Sequence, residues 1–253
     1  MNVLVCVKRV PLTGGRITLT EDQRAIQTRH LGFTVSPHEE CGVEEAIRLV
    51  EAHGGSSAVL TLGPPEAEEQ LRDMMALGVD RAIHLVTDGS EWDPQVTAAA
   101  IVDAVRGGEE PCDLILFGTE SADAGNYQVA IRVASALGLP VVNGIKSIEV
   151  VGDGTVRCEQ EVAAGRDVYV VPMPAVVTVK EGINLPRYPS VPGRMRAKRK
   201  PVDSSQPTPG PARLQMLRLA LPEGTGKQAD VLGRGAEAAP AVVAMLAEIG
   251  VLA

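Results

Sequence analysis

The feature that most constrains this chain is a repeated switch of hydrophobic period along its first 140 residues. Asn2–Val7 is a continuous apolar, β-rich run, and Ser57–Leu62, Ala82–Val86 and Asp113–Phe117 repeat it. A strand that is apolar on both faces must be covered on both faces, as in a parallel sheet. Between these runs lie Glu40–Ala52, Pro65–Leu77, Pro94–Val105 and Asn126–Leu137, which read as helices. In the first of them Val43, Ala46, Ile47 and Val50 fall at helical spacing, so one stripe faces a core. Pro65 and Pro94 stand where a first helical turn tolerates proline. Strands alternating with helices join by right-handed crossovers into a parallel, doubly wound α/β sheet.

After Val141 the helices stop. Lys146–Val151, Thr155–Glu161, Asp167–Val171 and Ala175–Val179 read as strands of a small antiparallel β section, with Asp153-Gly154 as a hairpin signal. A proline-rich stretch from Ile183 to Gly193 follows, then the basic run Arg194–Lys200 and a linker rich in Ser, Pro and Gly. Glu237–Ile249 is apolar at helical spacing, and Gly250 is placed to close that helix. The expected division is residues 1–182 as the α/β domain, 183–202 as a loop and basic segment, and 203–253 as a linker and C-terminal arm. An arm ending in a helix is expected to dock on another surface.

Composition removes several functions. The 253 residues suffice for a full core. Asp and Glu number 32 against 24 Lys and Arg, a formal charge of −8, and aromatics make up only 2%. That is the wrong field for phosphate backbones and too few rings for base stacking, so nucleic acid is not expected as a partner. No apolar stretch approaches the ~20 residues of a membrane span, so no membrane insertion is expected. Cys6, Cys41, Cys112 and Cys158 show no metal-like spacing and read as small core residues of a reducing, prokaryotic cytoplasm. His30, His38, His53 and His84 are spaced unlike metal ligands, and no nucleophile elbow is present. The carboxylate pairs Glu39-Glu40 and Glu44-Glu45 read as a solvated helix face.

In an open parallel sheet, ligands bind beyond the carboxyl ends of the strands, where strand order reverses. Two loops qualify: Lys8-Arg9-Val10-Pro11 after the first strand, and the stretch that opens at Gly118. The second carries small or polar residues through Gly125 and enters a helix near Asn126, with Asp123 and Asn126 as candidate caps. Such a loop offers backbone N–H groups and a positive helix end to a phosphate. Two glycine motifs are decoys: Gly233-Arg234-Gly235-Ala236-Glu237-Ala238 has no preceding strand, and Gly226-Lys227 lacks the rest of a P-loop.

Five segments together resemble the electron transfer flavoprotein beta subunit family. They are the opening VLVCVKRVP, Ser36-Pro37-His38-Glu39 with the following VEEAIRL, LGPPEAEEQLRDMMALGVDRAIHL, Gly118–Pro140, and PAVVTVKEGINLPRYPSVPGRMRAKRK. The resemblance implies an adenine-nucleotide-alpha-hydrolase-like sheet and a heterodimer with an alpha subunit that holds most of one redox-active FAD. It also implies a structural AMP in this chain. Its site would comprise Cys6, Ser36, Pro37, His38, Glu39, Leu62, Gly63 and the loop Gly118, Thr119, Glu120, Ser121, Ala122, Asp123, Ala124, Gly125, Asn126, Tyr127, Gln128 and Val129. Gln128-Val129 resembles the electron-bifurcating branch, in which a second FAD takes this place, whereas Asn126 departs from that branch; Ser36, His38 and the loop at Thr119-Glu120-Ser121, which lacks the usual lysine, depart from the more usual family residues. The stretch Asn184–Gly193 resembles the family's recognition loop. Asn184, Pro186, Arg187, Tyr188, Val191, Arg194 and Met195 would meet partners, with Val191 as the apolar tip and Glu161 easing the flavin domain's release. The expected partners are acyl-CoA and related dehydrogenases and a quinone oxidoreductase. The expected role is electron carriage in fatty acid oxidation and respiration, without bond chemistry of the chain's own.

Overall fold

The computed structural model describes residues 1–14, 17–108, 110–152, 154–222 and 230–252. Asp153 of the expected hairpin turn and the Gly226-Lys227 pair lie outside the described residues. The chain forms two units, residues 1–217 and 218–253.

In chain order the first unit contains β1 (Asn2–Cys6), β2 (Arg9–Pro11), β3 (Phe33–Val35), α1 (Pro37–His53), β4 (Ser56–Gly63), α2 (Glu68–Leu77), β5 (Arg81–Val86), α3 (Pro94–Gly107), β6 (Leu114–Gly118) and α4 (Val129–Leu137). It continues with β7 (Val141–Val150), β8 (Thr155–Val162), β9 (Gly165–Pro172), β10 (Ala175–Val179), α5 (Val191–Ala197) and β11 (Val202–Ser205). Among the described residues the main sheet has nine strands in the order β11-β5-β4-β1-β6-β10-β7-β8-β9, and β2 pairs with β3 in a separate ribbon. From β11 to β7 all neighbours are parallel; β7, β8 and β9 are antiparallel.

The side-chain alternation of β1 divides the core. Val3 and Val5 join a cluster with Val43, Ile47, Leu71 and Met75 of α1 and α2. Leu4 and Cys6 join the opposite cluster with Ile101, Phe117 and Val133 beneath α3 and α4. The chain therefore leaves β1 for one face and β6 for the other, and the two adjacent strands form the switch point of the sheet.

Several features were not legible in the sequence. The second ribbon, α5 and β11 come from stretches expected to be irregular. β11 pairs with β5, so the expected boundary at residue 203 falls inside a strand of the first unit. In residues 218–253, α6 (Ala239–Glu248) buries no residue. Gly250, at φ +74°, follows that helix as expected.

Candidate functional site

At the switch point, β6 runs directly under the start of α1. Gly118 makes that approach possible: a Cβ there would lie 2.7 Å from Glu39 Cγ and 3.1 Å from Glu39 N. Ser36 precedes α1 and is buried; its Oγ accepts the Ala122 N–H at 2.9 Å, tying the loop after β6 to the helix start. Between them lies an open cleft of about 360 Å³ lined by Pro37, His38, Glu120, Ser121, Ala122, Asp123, Ala124, Gly125 and Glu181.

The cleft's charges are largely matched. Lys8 Nζ lies 2.8 Å from Asp123 and 2.6 Å from Glu91, bridging two loops. Burial alone would lower the Lys8 pKa, but Glu91 and Asp123 outweigh it and raise it. Burial raises the Asp123 pKa, and the Lys8 charge with hydrogen bonds from Lys8, Ser121 and Ala124 more than offsets this, so the carboxyl is held below its ordinary range. His38 Nδ1 accepts the Glu181 N–H at 2.8 Å, and its Nε2 faces Glu120 at 3.7 Å.

Glu39 is the exception. Its carboxylate accepts the Lys8 backbone N–H at 2.8 Å, and burial pushes its pKa up to about 8 against the pull of the Lys8 and Ser36 backbone groups. A buried carboxylate with few donors keeps its proton.

The loop beyond Asp123 makes turns rather than helix. α4 begins at Val129 with Gln128 before it and no side-chain cap, so Asp123 and Asn126 do not cap it as expected. Asp123 is instead committed to Lys8 and to the Ala124 N–H. Gly125 and Tyr127 have positive φ (55° and 56°), and Gln128 returns to φ −114°. Alternation of this kind curls successive N–H groups to one side, an anion-binding concavity. Among the described residues the N–H groups of Asn126, Tyr127 and Gln128 find no protein acceptor.

The other expected cofactor positions fall around this cleft rather than on its wall. Thr119 donates to Val179 O at 2.9 Å. Cys6 is buried on the α3–α4 side, and Leu62 and Gly63 end β4. Asn126, Tyr127, Gln128 and Val129 follow directly on Gly125, the last lining residue of the loop.

The expected solvated face of α1 is a correction: Glu39, Glu44 and Glu45 are all buried. Residues 183–188 lie across the helix and use the carboxylates of Glu44 and Glu45. Arg187 reaches Glu44 through N (3.1 Å), Nε (2.9 Å) and Nη2 (3.1 Å), and Glu51 through Nη1 (2.8 Å) and Nη2 (3.0 Å). Hydrogen bonds to Glu51 and then Glu44 raise the guanidinium pKa. Asn184 Nδ2 donates to Cys41 O at 2.9 Å and to Glu45 Oε2 at 2.8 Å. Such contacts span 136 to 143 positions, so no local sequence pattern could reveal them.

Val191 is the first residue of α5 rather than a loop tip. Ser190 caps that helix by accepting the Gly193 N–H at 3.1 Å. The basic run is partly committed: Arg194 pairs with Asp73 at 3.1 Å, and Lys200 Nζ donates to the carbonyls of Met75 in α2 and of Gly78 and Val79 just beyond it. Arg196, Lys198 and Arg199 remain exposed. Glu161 sits in β8 opposite Arg166 of β9.

The electron transfer flavoprotein domain matches residues 25–209. The electron transfer flavoprotein subunit beta of Syntrophomonas wolfei is 37% identical over 223 residues, 88% of this chain and 86% of that protein. The Bacillus subtilis subunit beta is 35% identical over 205 residues (80% and 78%), and the mitochondrial subunit of Arabidopsis thaliana 33% over 204 (80% and 80%). The chain belongs to the electron transfer flavoprotein beta subunit family. Membership makes it a flavoprotein subunit concerned with electron transfer, and the sheet described above is consistent with that family. Among the described residues, no helix is long and apolar enough to cross a membrane and no cluster of metal-binding side chains occurs.

Proposed function

We propose that this chain is the beta subunit of a heterodimeric electron carrier, with the redox-active FAD held mainly by the alpha subunit and an AMP in the switch-point cleft. The observation that carries the assembly is the C-terminal unit. Val231, Val243, Ile249 and Val251 are exposed there and α6 buries nothing. An apolar helix with only Met245 and Leu246 half-buried belongs against another protein. Residues 218–253 would serve as that arm, and the first unit as the nucleotide-binding body.

The cleft residues fit a nucleotide phosphate. The donors at Asn126, Tyr127 and Gln128 supply N–H groups to the anion, and the cleft's size suits a mononucleotide. The AMP is structural, and this chain's residues bind and orient it without moving atoms. Electrons pass from acyl-CoA and related dehydrogenases through the FAD to a quinone oxidoreductase, in the cytoplasm of a prokaryote. Bifurcation, with a second FAD in this cleft, is the other reading.

Co-production with the alpha subunit and counting of nucleotides released on denaturation tests this. One FAD and one AMP per heterodimer is the expected result. Two FAD without AMP moves the function to bifurcation, and absence of flavin overturns the reading.

A further inference from the structure

His38 and Glu120 meet in the cleft as a donor and an acceptor that do not satisfy one another. His38 stands in the first turn of α1, and Glu120 in the loop after β6; both line the cleft. His38 Nδ1 accepts the Glu181 N–H at 2.8 Å, so in the neutral ring the imidazole proton sits on Nε2. Nε2 lies 3.7 Å from Glu120 Oε1, too far for a hydrogen bond between them. Asp123, another carboxylate of the lining, is already taken by Lys8.

Glu120 also reaches the anion-binding turn. Its Oε2 lies 3.5 Å from the point a Cβ on Gly125 would occupy. Tyr127, whose N–H belongs to that turn, hydrogen-bonds the same carboxylate through its phenol, which raises the phenol pKa. The N–H groups of Asn126, Tyr127 and Gln128 and the His38–Glu120 pair therefore lie side by side.

Resting on the reading of this cleft as a nucleotide site, we infer that His38 and Glu120 together hold a ribose hydroxyl of the bound nucleotide. A hydroxyl is a small group that accepts from one partner and donates to the other. Placed between them, it takes the Nε2–H of His38 and gives its own proton to Glu120. The ribose is the part of a nucleotide next to the phosphate, and the pair lies next to the phosphate donors. A base edge sits a sugar's length further away. The pair determines specificity: it selects ribonucleotides over deoxynucleotides, and the carboxylate disfavours a ribose that carries an additional phosphate.

The test uses the heterodimer, unfolded, freed of small molecules and refolded with FAD and equal concentrations of AMP and one competitor. Bound nucleotides are then counted by mass spectrometry. The wild type should favour AMP over at least one of 2′-deoxy-AMP and 3′-deoxy-AMP by about tenfold. His38→Phe and Glu120→Ala should each bring that preference below about threefold while AMP still binds. The AMP-to-IMP ratio, which the hydroxyl does not touch, should keep its wild-type value in both variants. Equal retention of AMP and both deoxy competitors by the wild type overturns the inference. An undiminished preference in Glu120→Ala overturns it too, as does a variant that alters only the IMP ratio, which would place the pair at the base. If the wild type retains no AMP, the reading of the cleft fails and the inference with it.

Discussion

Glu39 and Glu44 sit on the same helix and are equally hidden, at 6% and 4% exposure, yet their surroundings treat them oppositely. At the start of α1, Glu39 receives backbone N–H groups, and burial dominates, raising its pKa to about 8. Further along, Glu44 is forked by a guanidinium that also reaches Glu51. Equal burial goes with different partners: a backbone N–H for Glu39 and a guanidinium fork for Glu44. The end of α1 that carries Glu39 borders the cleft, and the Arg187 grip ties the crossing segment to the rest of the helix. One helix thereby supports two separate tasks.

The largest perturbation expected is at Gly118. Gly118→Val forces β6 and the start of α1 apart and should cost about 3 kcal/mol in denaturant unfolding, the upper end for overpacking. If the two ends of α1 are independent, Glu44→Gln costs the same with and without Gly118→Val, within a few tenths of a kcal/mol. Glu44→Gln comes next. It keeps the shape but removes the charge from the Arg187 fork, and a loss of about 2 kcal/mol is expected from the same measurement. A loss below a few tenths would mean the fork is as weak as an ordinary surface pair.

Glu39 gives the opposite response, with a sign that pH resolves. Its folded pKa of about 8 stands above the ordinary 4.5. Between those values the native chain holds a proton that the unfolded chain has released, so this group makes stability fall as pH rises. The slope is at most about 1.4 kcal/mol per pH unit. Glu39→Gln should remove that slope between pH 4.5 and 8, as read from urea midpoints across the range; an unchanged slope would assign it to another group.

The smallest effect sharpens the comparison with a third carboxylate. Asp93 caps α3 through Val96 N–H, and its other oxygen accepts the N–H groups of Arg213 and Leu214. Burial works to raise its pKa, but these backbone donors prevail and the pKa is lowered. Asp93→Ala should cost about 1 kcal/mol and speed tryptic cleavage after Arg213. Unchanged cleavage would show that the linker is held by something else.

How much of this the sequence disclosed follows from the distance over which each feature is decided. The strands β1, β4, β5 and β6 and the helices between them were legible because apolar period is local. The cleft loop was legible from its place after β6, and Gly118 from its place at the turn. The exact start of α4 was not, because Asp123 is claimed by Lys8, far away in the chain. The burial of Glu44 and Glu45 was invisible for the same reason: their cover arrives from residues 183–188.

The strand order carries a consequence for how the chain is assembled. β10 lies between β6 and β7, although β7, β8 and β9 all precede it in the chain. Until residues 175–179 emerge from the ribosome, β6 has an open backbone edge and the β7–β9 meander has no parallel neighbour to join. The meander's contacts are between adjacent segments and form early, whereas closing the sheet waits for an insertion across a long chain separation. A nascent chain paused before that strand carries an apolar, unpaired edge, the form most exposed to mispairing with a second copy.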